Sequence, residues 1–199
     1  APDSEIRLKG RMTTKGQKSG EATVEWCPGG AFYFKTKFSY SDLSRRFWGL
    51  GPDSPPETEE TLRPQEALGY LESYWRITKR VKAGIRYEYE QAKYLDADPV
   101  GLLETGGFIG ARGGIVSGSG LLLELDTRDR SHSPTSGAYC QGFALIFDEA
   151  LGSEFDFNNY NVDVRNYFHI SGSHVVATQL FLYAARGGAP LWRLAELGG

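Results

Sequence analysis

Asp126, Arg128 and Asp129 lie within four residues of one another, and paired carboxylates could hold a divalent cation or act as an acid–base couple. Hard cations want several oxygen ligands, however, and two carboxylates flanking an arginine are better satisfied as an ion-pair network. The reading is structural: Asp126, Thr127, Arg128, Asp129, Pro134 and Gly137 fix a turn and its register. His132, His169 and His174 stand apart in no zinc-ligand spacing. Ser131-His132-Ser133 is only a local run, and a serine relay needs an acid and a base converging from separate places. The glycine-rich stretch Gly106–Gly114 lacks G-x-G-x-x-G spacing and a Walker lysine, so it is read as a flexible loop rejoining a strand. No G-x-S-x-G is present. No enzymatic activity, catalytic residue, metal or cofactor is expected.

The elements that position these residues are alternating segments. In the hairpin around the acidic turn, Leu121, Leu123 and Leu125 share one face while Glu124 and Asp126 share the other. Pro134 can neither donate to a ladder nor sit in a central strand, so it marks the turn. Eight more segments alternate: Ile6–Met12, Glu21–Trp26, Phe32–Tyr40, Gln65–Thr78, Val81–Glu90, Gly137–Phe147, Asn159–Ile170 and Val175–Ala185. Val81, Ala83, Ile85, Tyr87 and Tyr89 interleave with Lys82, Arg86, Glu88 and Glu90 in the cleanest of them. Period two repeated this often predicts two-faced strands, whereas a helix would scatter Arg and Glu around every face. Gly137–Phe147 is apolar on both sides, and its orientation stays open.

The connections carry a second pattern. Cys27–Gly30, Lys79–Arg80 and Ser171–Ser173 are tight, and Thr127–Ser136 is longer but falls on the same side. Thr13–Ser19, Ser41–Pro64, Ala92–Arg112 and Asp148–Ser153 are intermediate or long and fall on the other. Short turns on one side and long loops on the other is the layout of an outer-membrane barrel, with the short side periplasmic. On that scheme Gly187–Gly199 emerges outside. Trp26, Trp75, Tyr87, Tyr89, Tyr160 and Phe168 sit near strand ends against lipid. Arg86, Glu88, Glu124, Asp163 and Arg165 face the lumen, and Asp126, Arg128 and His169 share that side.

The run L-x-L-D-T-R-D-x4-P-x2-G-x-Y from Leu123 to Tyr139, followed by a strand and Leu151-Gly152-Ser153, resembles the bacterial surface antigen barrel of the BamA/TamA outer-membrane family. The similarity continues through Tyr160–Ile170 and Val175–Ala185 to Leu197-Gly198-Gly199. It implies an all-β fold, an antiparallel transmembrane β-barrel, of which about nine strands lie here within a larger barrel of the 16-strand kind. It also implies a bacterial outer-membrane location and a role in inserting or translocating other outer-membrane proteins. In that family a glycine pair precedes an Arg-Gly-aromatic loop motif, and periplasmic POTRA modules precede the barrel. Neither occurs in these residues, so the resemblance carries the barrel portion alone.

Composition bounds the alternatives. The chain has 199 residues, a formal charge of −3, 25 glycines, 11 Phe, 11 Tyr and 4 Trp. That texture suits strands and turns better than a helical bundle. Charge near neutrality without basic clusters excludes nucleic acid as a partner. No apolar run reaches the length of a spanning helix, and Ala1-Pro2-Asp3-Ser4 shows no secretory leader. Cys27 and Cys140 are too few for a disulfide framework and fall in distant strands. The partners expected are the lipid bilayer and other outer-membrane proteins as clients. A passive pore or surface structural barrel, and a soluble β-sandwich or lipocalin-like binding protein, are the competing readings. If the assignment of faces is right, Ile85→Arg or Val164→Arg impairs folding, and Arg86→Ala or Asp163→Ala is mild.

Overall fold

The computed structural model describes residues 4–50, 59–95 and 101–194. Every alternating segment forms a strand. In chain order these are β1 (Glu5–Met12), β2 (Lys18–Trp26), β3 (Phe32–Asp42), β4 (Arg45–Phe47), β5 (Glu60–Arg76), β6 (Val81–Leu95), β7 (Gly114–Asp126), β8 (Gly137–Phe147), β9 (Phe157–Ser171) and β10 (His174–Gly187). One short helix, α1 (Leu102–Thr105), lies between β6 and β7, and single helical turns cover Glu149–Leu151 and Leu191–Arg193. No helix among the described residues is long and apolar enough to cross a membrane, which says nothing of strands.

The strands form one antiparallel sheet, a meander in the order β1-β2-β3-β5-β6-β7-β8-β9-β10, with β4 off that path and paired to β5. β1 and β10 each keep one open edge, so the described sheet is not closed. β4 was not anticipated. It pairs with β5 in the register already set by β3, Asp42 opposite Gln65 and Arg45 opposite Leu62, and so continues β3 after a two-residue break. The ladder therefore runs well into Ser41–Pro64, the stretch expected to be loop. Part of that stretch, residues 51–58, lies outside the described residues.

The register is strongly staggered. Direct partners lead from Lys9 to Glu21, Ser39, Leu68, Glu90 and Val116, so a line begun in the middle of β1 arrives near the loop end of β7. Such stagger tilts strands against the axis about which the sheet curls. The curl itself is visible in the side chains, because Gln141 on β8 touches Tyr74 on β5. In a flat sheet those strands would stand roughly 14 Å apart.

Burial is inverted relative to a water-soluble sheet. On β5 Leu71 is 51% exposed and the next residue, Glu72, 2%. On β6 Tyr87 is 45% exposed and Glu88 2%; on β7 Leu123 is 56% exposed and Glu124 8%. The convex face carries Trp26, Phe32, Phe38, Leu71, Trp75, Ile85, Leu121, Tyr160, Phe168 and Leu180, all exposed. No described element packs over them as a second layer. On β3, β5, β6, β8 and β10 this outer series stays mainly apolar for about nine residues, which is the length a tilted strand needs to cross a bilayer. It then turns polar at the loop end, at Asp42, Gln65, Gln91, Asp148 and Arg186 respectively.

β8 resolves the ambiguous segment. Tyr139, Gln141, Phe143, Leu145 and Phe147 point into the concave side, and Leu145 and Phe147 are almost fully buried. There they join Val116, Phe157 and Ala189 in an apolar cluster, where Phe147 and Phe157 stack at 4.3 Å.

Candidate functional site

The sequence motif of the β7–β8 turn is used residue by residue. Thr127 closes the ladder: its amide donates to the Ala138 carbonyl at 2.8 Å, and its hydroxyl oxygen accepts from the Ala138 amide at 2.9 Å. Arg128 folds back on Asp126 with contacts of 2.9 and 2.8 Å and lies 4.6 Å over the Tyr139 ring. Asp129 accepts from the Thr135 amide at 2.9 Å, the Thr135 hydroxyl at 2.7 Å and the Ser136 amide at 3.2 Å, just beyond Pro134. Those hydrogen bonds, the Thr135 hydroxyl first, hold the Asp129 carboxyl well below the usual carboxylate range. Gly137 adopts φ +95°, and a Cβ there would stand 2.3 Å from the Thr127 carbonyl oxygen, so the hairpin requires glycine. The carboxylates are thus spent on the turn.

The five charges expected on the inner face all point into the concave side, but in two clusters rather than one. Around Arg86, its guanidinium donates to Glu72 Oε1 at 2.6 Å and to Glu88 Oε2 at 2.8 Å, and lies 3.8 Å over the Tyr70 ring. Its side chain is 12% exposed. Arg193, from the turn after β10, donates to the other oxygen of Glu88 and stands 3.2 Å from Glu90 Oε2. Around Tyr139, Lys82 donates to Glu124 at 2.6 Å, the Tyr139 hydroxyl lies 3.5 Å from that same carboxylate, and the Arg165 guanidinium is 5.8 Å from the Tyr139 ring. Arg165 pairs with Asp163, which also accepts from Gln179 on β10 at 2.9 Å. The bridge between the clusters is neutral. Gln141 donates to the Tyr74 hydroxyl at 2.8 Å, and Tyr74 donates to Glu72 at 3.1 Å.

Two glycines make room for the first cluster. Gly120 is opposite Arg86 in register and Gly118 opposite Glu88. A Cβ on Gly120 would stand 1.8 Å from the Ala144 carbonyl oxygen, and one on Gly118 2.6 Å from the Phe147 ring. With no side chains there, Phe143 and Phe147 lean across β7, and their rings lie 4.9 Å from the Arg86 and Arg193 guanidiniums respectively. Gly118-Ser119-Gly120, with both glycines on the inner parity, is the signal that could have located this cradle. Arg86 is therefore a buried, multiply bonded cation, and the expectation that Arg86→Ala is mild is revised. Removing it would leave Glu72 uncompensated and Glu88 with one partner.

The segment after β10 does not simply emerge at the loop end. Gly188–Leu194 turns back into the concave side. The Leu191 amide donates to the Ile109 carbonyl at 2.8 Å, the Tyr183 hydroxyl donates to the Arg193 carbonyl at 2.7 Å, and Trp192 packs edge-on to Phe155 and Tyr94. The glycine-rich stretch takes part in this docking: a Cβ on Gly110 would meet Pro190 and Trp192 at 2.6 Å. It is a seat for the returning segment as much as a connection.

His132 lies in the β7–β8 turn, His174 begins β10, and His169 contacts the Gly172 carbonyl at 2.9 Å near the β9–β10 turn. Among the described residues no group of His, Cys, Asp and Glu side chains is disposed to hold a metal ion. The concave face can do two things chemically: compensate buried charge with opposite charge, and hold an inserted polypeptide by an arginine. A scan of the sequence against protein-family models found no match, and neither did a search of curated proteins.

Proposed function

We propose that this chain is the membrane-embedded part of a bacterial outer-membrane β-barrel of the BamA/TamA kind, with a role in inserting or translocating other outer-membrane proteins. The observation that carries the membrane reading is the inverted burial, Leu71 and Tyr87 outside, Glu72 and Glu88 inside. In water that convex face would be an exposed apolar patch far larger than soluble monomers carry. In lipid it is the favourable arrangement, and the backbone groups of the ladder are satisfied within the sheet. The soluble sandwich reading lacks the second layer it needs. The assembly role rests on the resemblance of the Leu123–Tyr139 hairpin. The open edges of β1 and β10 are compatible with a sheet that accepts further strands.

Against the passive-pore reading stands the Gly188–Leu194 segment, which occupies the concave side where a pore would run. Two experiments test the proposal. Vesicle-reconstituted protein should be protected from added protease between Val81 and Tyr89; a protein that stays soluble and monomeric without detergent overturns the membrane reading. Depleting the protein from cells should lower the level of other folded outer-membrane barrels; unchanged levels overturn the assembly role.

A further inference from the structure

A row of charged and polar residues crosses four neighbouring strands at the loop end of the convex face. Lys18 on β2 is in register with Asp42 on β3, Asp42 with Gln65 on β5, and Gln65 with Lys93 on β6. Three inter-strand steps span about 14 Å. Asp42 is already compensated within the row. Arg63 donates to both of its oxygens at 2.7 and 3.1 Å, Gln65 adds a contact at 3.3 Å, and the residue is 2% exposed. Lys18 and Lys93 are exposed, and neither makes a side-chain hydrogen bond or ion pair among the described residues. Lys18 Nζ instead stands 5.9 Å from the Tyr40 ring. Lys18 and Lys93 thus flank an ion pair, Arg63 on Asp42, that balances its own charge. At the corresponding places past the apolar stretch β8 and β9 hold Asp148 and Asn158, and β10 holds a single cation, Arg186.

What lies below the row matches it. Ala67 and Gly69 on the outer side of β5 sit between Tyr40 and Phe38 of β3 and Gln91 and Tyr89 of β6. Beside three aromatic neighbours and one polar one, the small residues leave a shallow trough that leads up to Gln65. A trough flanked at its top by two lysines suits a molecule with an acyl chain and a phosphate.

We propose that this row binds the phosphate groups of a phosphorylated lipid headgroup in the leaflet at the loop end, with an acyl chain along Ala67 and Gly69. The inference rests on the membrane reading above. The two lysines act as point charges toward phosphate, an attraction enhanced at the edge of a low-dielectric phase. A free anion would gain nothing from the trough.

The test uses the full chain in phosphatidylcholine vesicles with and without a bis-phosphorylated glycolipid such as lipid A, reading lipid retained per protein. The double variant Lys18→Gln/Lys93→Gln should bind the glycolipid about thirty-fold more weakly, and high salt should weaken the unmodified protein similarly. Lys79→Gln/Arg80→Gln, in the tight turn at the opposite end, should bind as the unmodified protein does. Equal binding by the Lys18/Lys93 variant, or no preference for the glycolipid over phosphatidylcholine, overturns the site. Displacement by inorganic phosphate at matched concentration overturns the lipid assignment in favour of a free-anion site. Failure to insert into either vesicle, read by protease protection, overturns the membrane reading and this inference with it.

Discussion

Gln141 Nε2 on β8 lies 2.8 Å from the Tyr74 hydroxyl on β5, with β6 and β7 between them in the ladder. The contact is possible only because the sheet curls. Tyr74 passes the interaction on to Glu72, so the bridge ties the curvature to the buried charge. Tyr74→Phe would remove the hydroxyl and leave Gln141 and one Glu72 oxygen short of a partner. The expected loss is about 1–3 kcal/mol, measured by urea unfolding in vesicles. A neutral result would mean that water replaces the hydroxyl and that the bridge does not hold the curl.

Arg86 tests the cluster itself. Its neighbours Glu72 and Glu88 have side chains only 2% and 3% exposed, so Arg86→Ala leaves charge buried with too few partners. The expected loss is about 3–5 kcal/mol. Arg86→Met combined with Glu72→Gln should recover much of it, because the cost lies in the stranded carboxylate rather than in the lost attraction. Unfolding midpoints of the single and double variants decide between the two.

The convex face makes the opposite demand at the adjacent residue. Ile85 is 61% exposed, and in lipid Ile85→Arg should cost about 2–4 kcal/mol near the midplane. Ile85→Leu should be close to neutral. If Ile85→Arg folds into vesicles as well as Ile85→Leu does, this face does not meet lipid.

Much of this architecture was legible in the chain, because a strand with different surroundings on its two sides writes them into alternate residues. That is how Arg86, Glu88, Glu124, Asp163 and Arg165 could be placed on one side without knowing what they touch. β8 could not be oriented, since Cys140, Ala144 and Ile146 on one face look as apolar as Phe143, Leu145 and Phe147 on the other. Only the cluster with Val116 and Phe157 separates them. β4 was too short at three residues to show a period, and it exists because β5 offers it an edge in register. Arg193 carries no periodic signal at all. Its role depends on carboxylates about a hundred positions earlier in the chain.

Asp129 gives a pH dependence with a defined sign. Its carboxyl is lowered in the folded state by the Thr135 hydroxyl and the Thr135 and Ser136 amides. The stabilisation it gives the turn is fully present above the unfolded aspartate value of about 3.9, and is lost as pH falls through the lower native value. Amide exchange at Thr135 and Ser136 should therefore stay protected at mildly acidic pH and lose protection only in stronger acid. In Asp129→Ala both amides should already exchange rapidly at neutral pH. Equal protection in the variant would show that the turn stands without this cap.

Arg193 should decide whether the returning segment is held by charge or by packing. Its side chain is 11% exposed and faces Glu88 and Glu90, while Trp192 beside it packs on Phe155. Trypsin needs Arg193 extended and accessible, so cleavage after it should be slow in the unmodified protein in vesicles. Glu88→Gln with Glu90→Gln removes the attraction but keeps the shapes, and should accelerate cleavage at Arg193 by at least tenfold, since the lost charge-assisted hydrogen bond to Glu88 alone contributes about 1.5–3 kcal/mol. Trp192→Ala leaves both carboxylates in place and should accelerate it less. The reverse order would assign the hold to the aromatic packing, with the ion pairs only completing charge balance in a segment already docked.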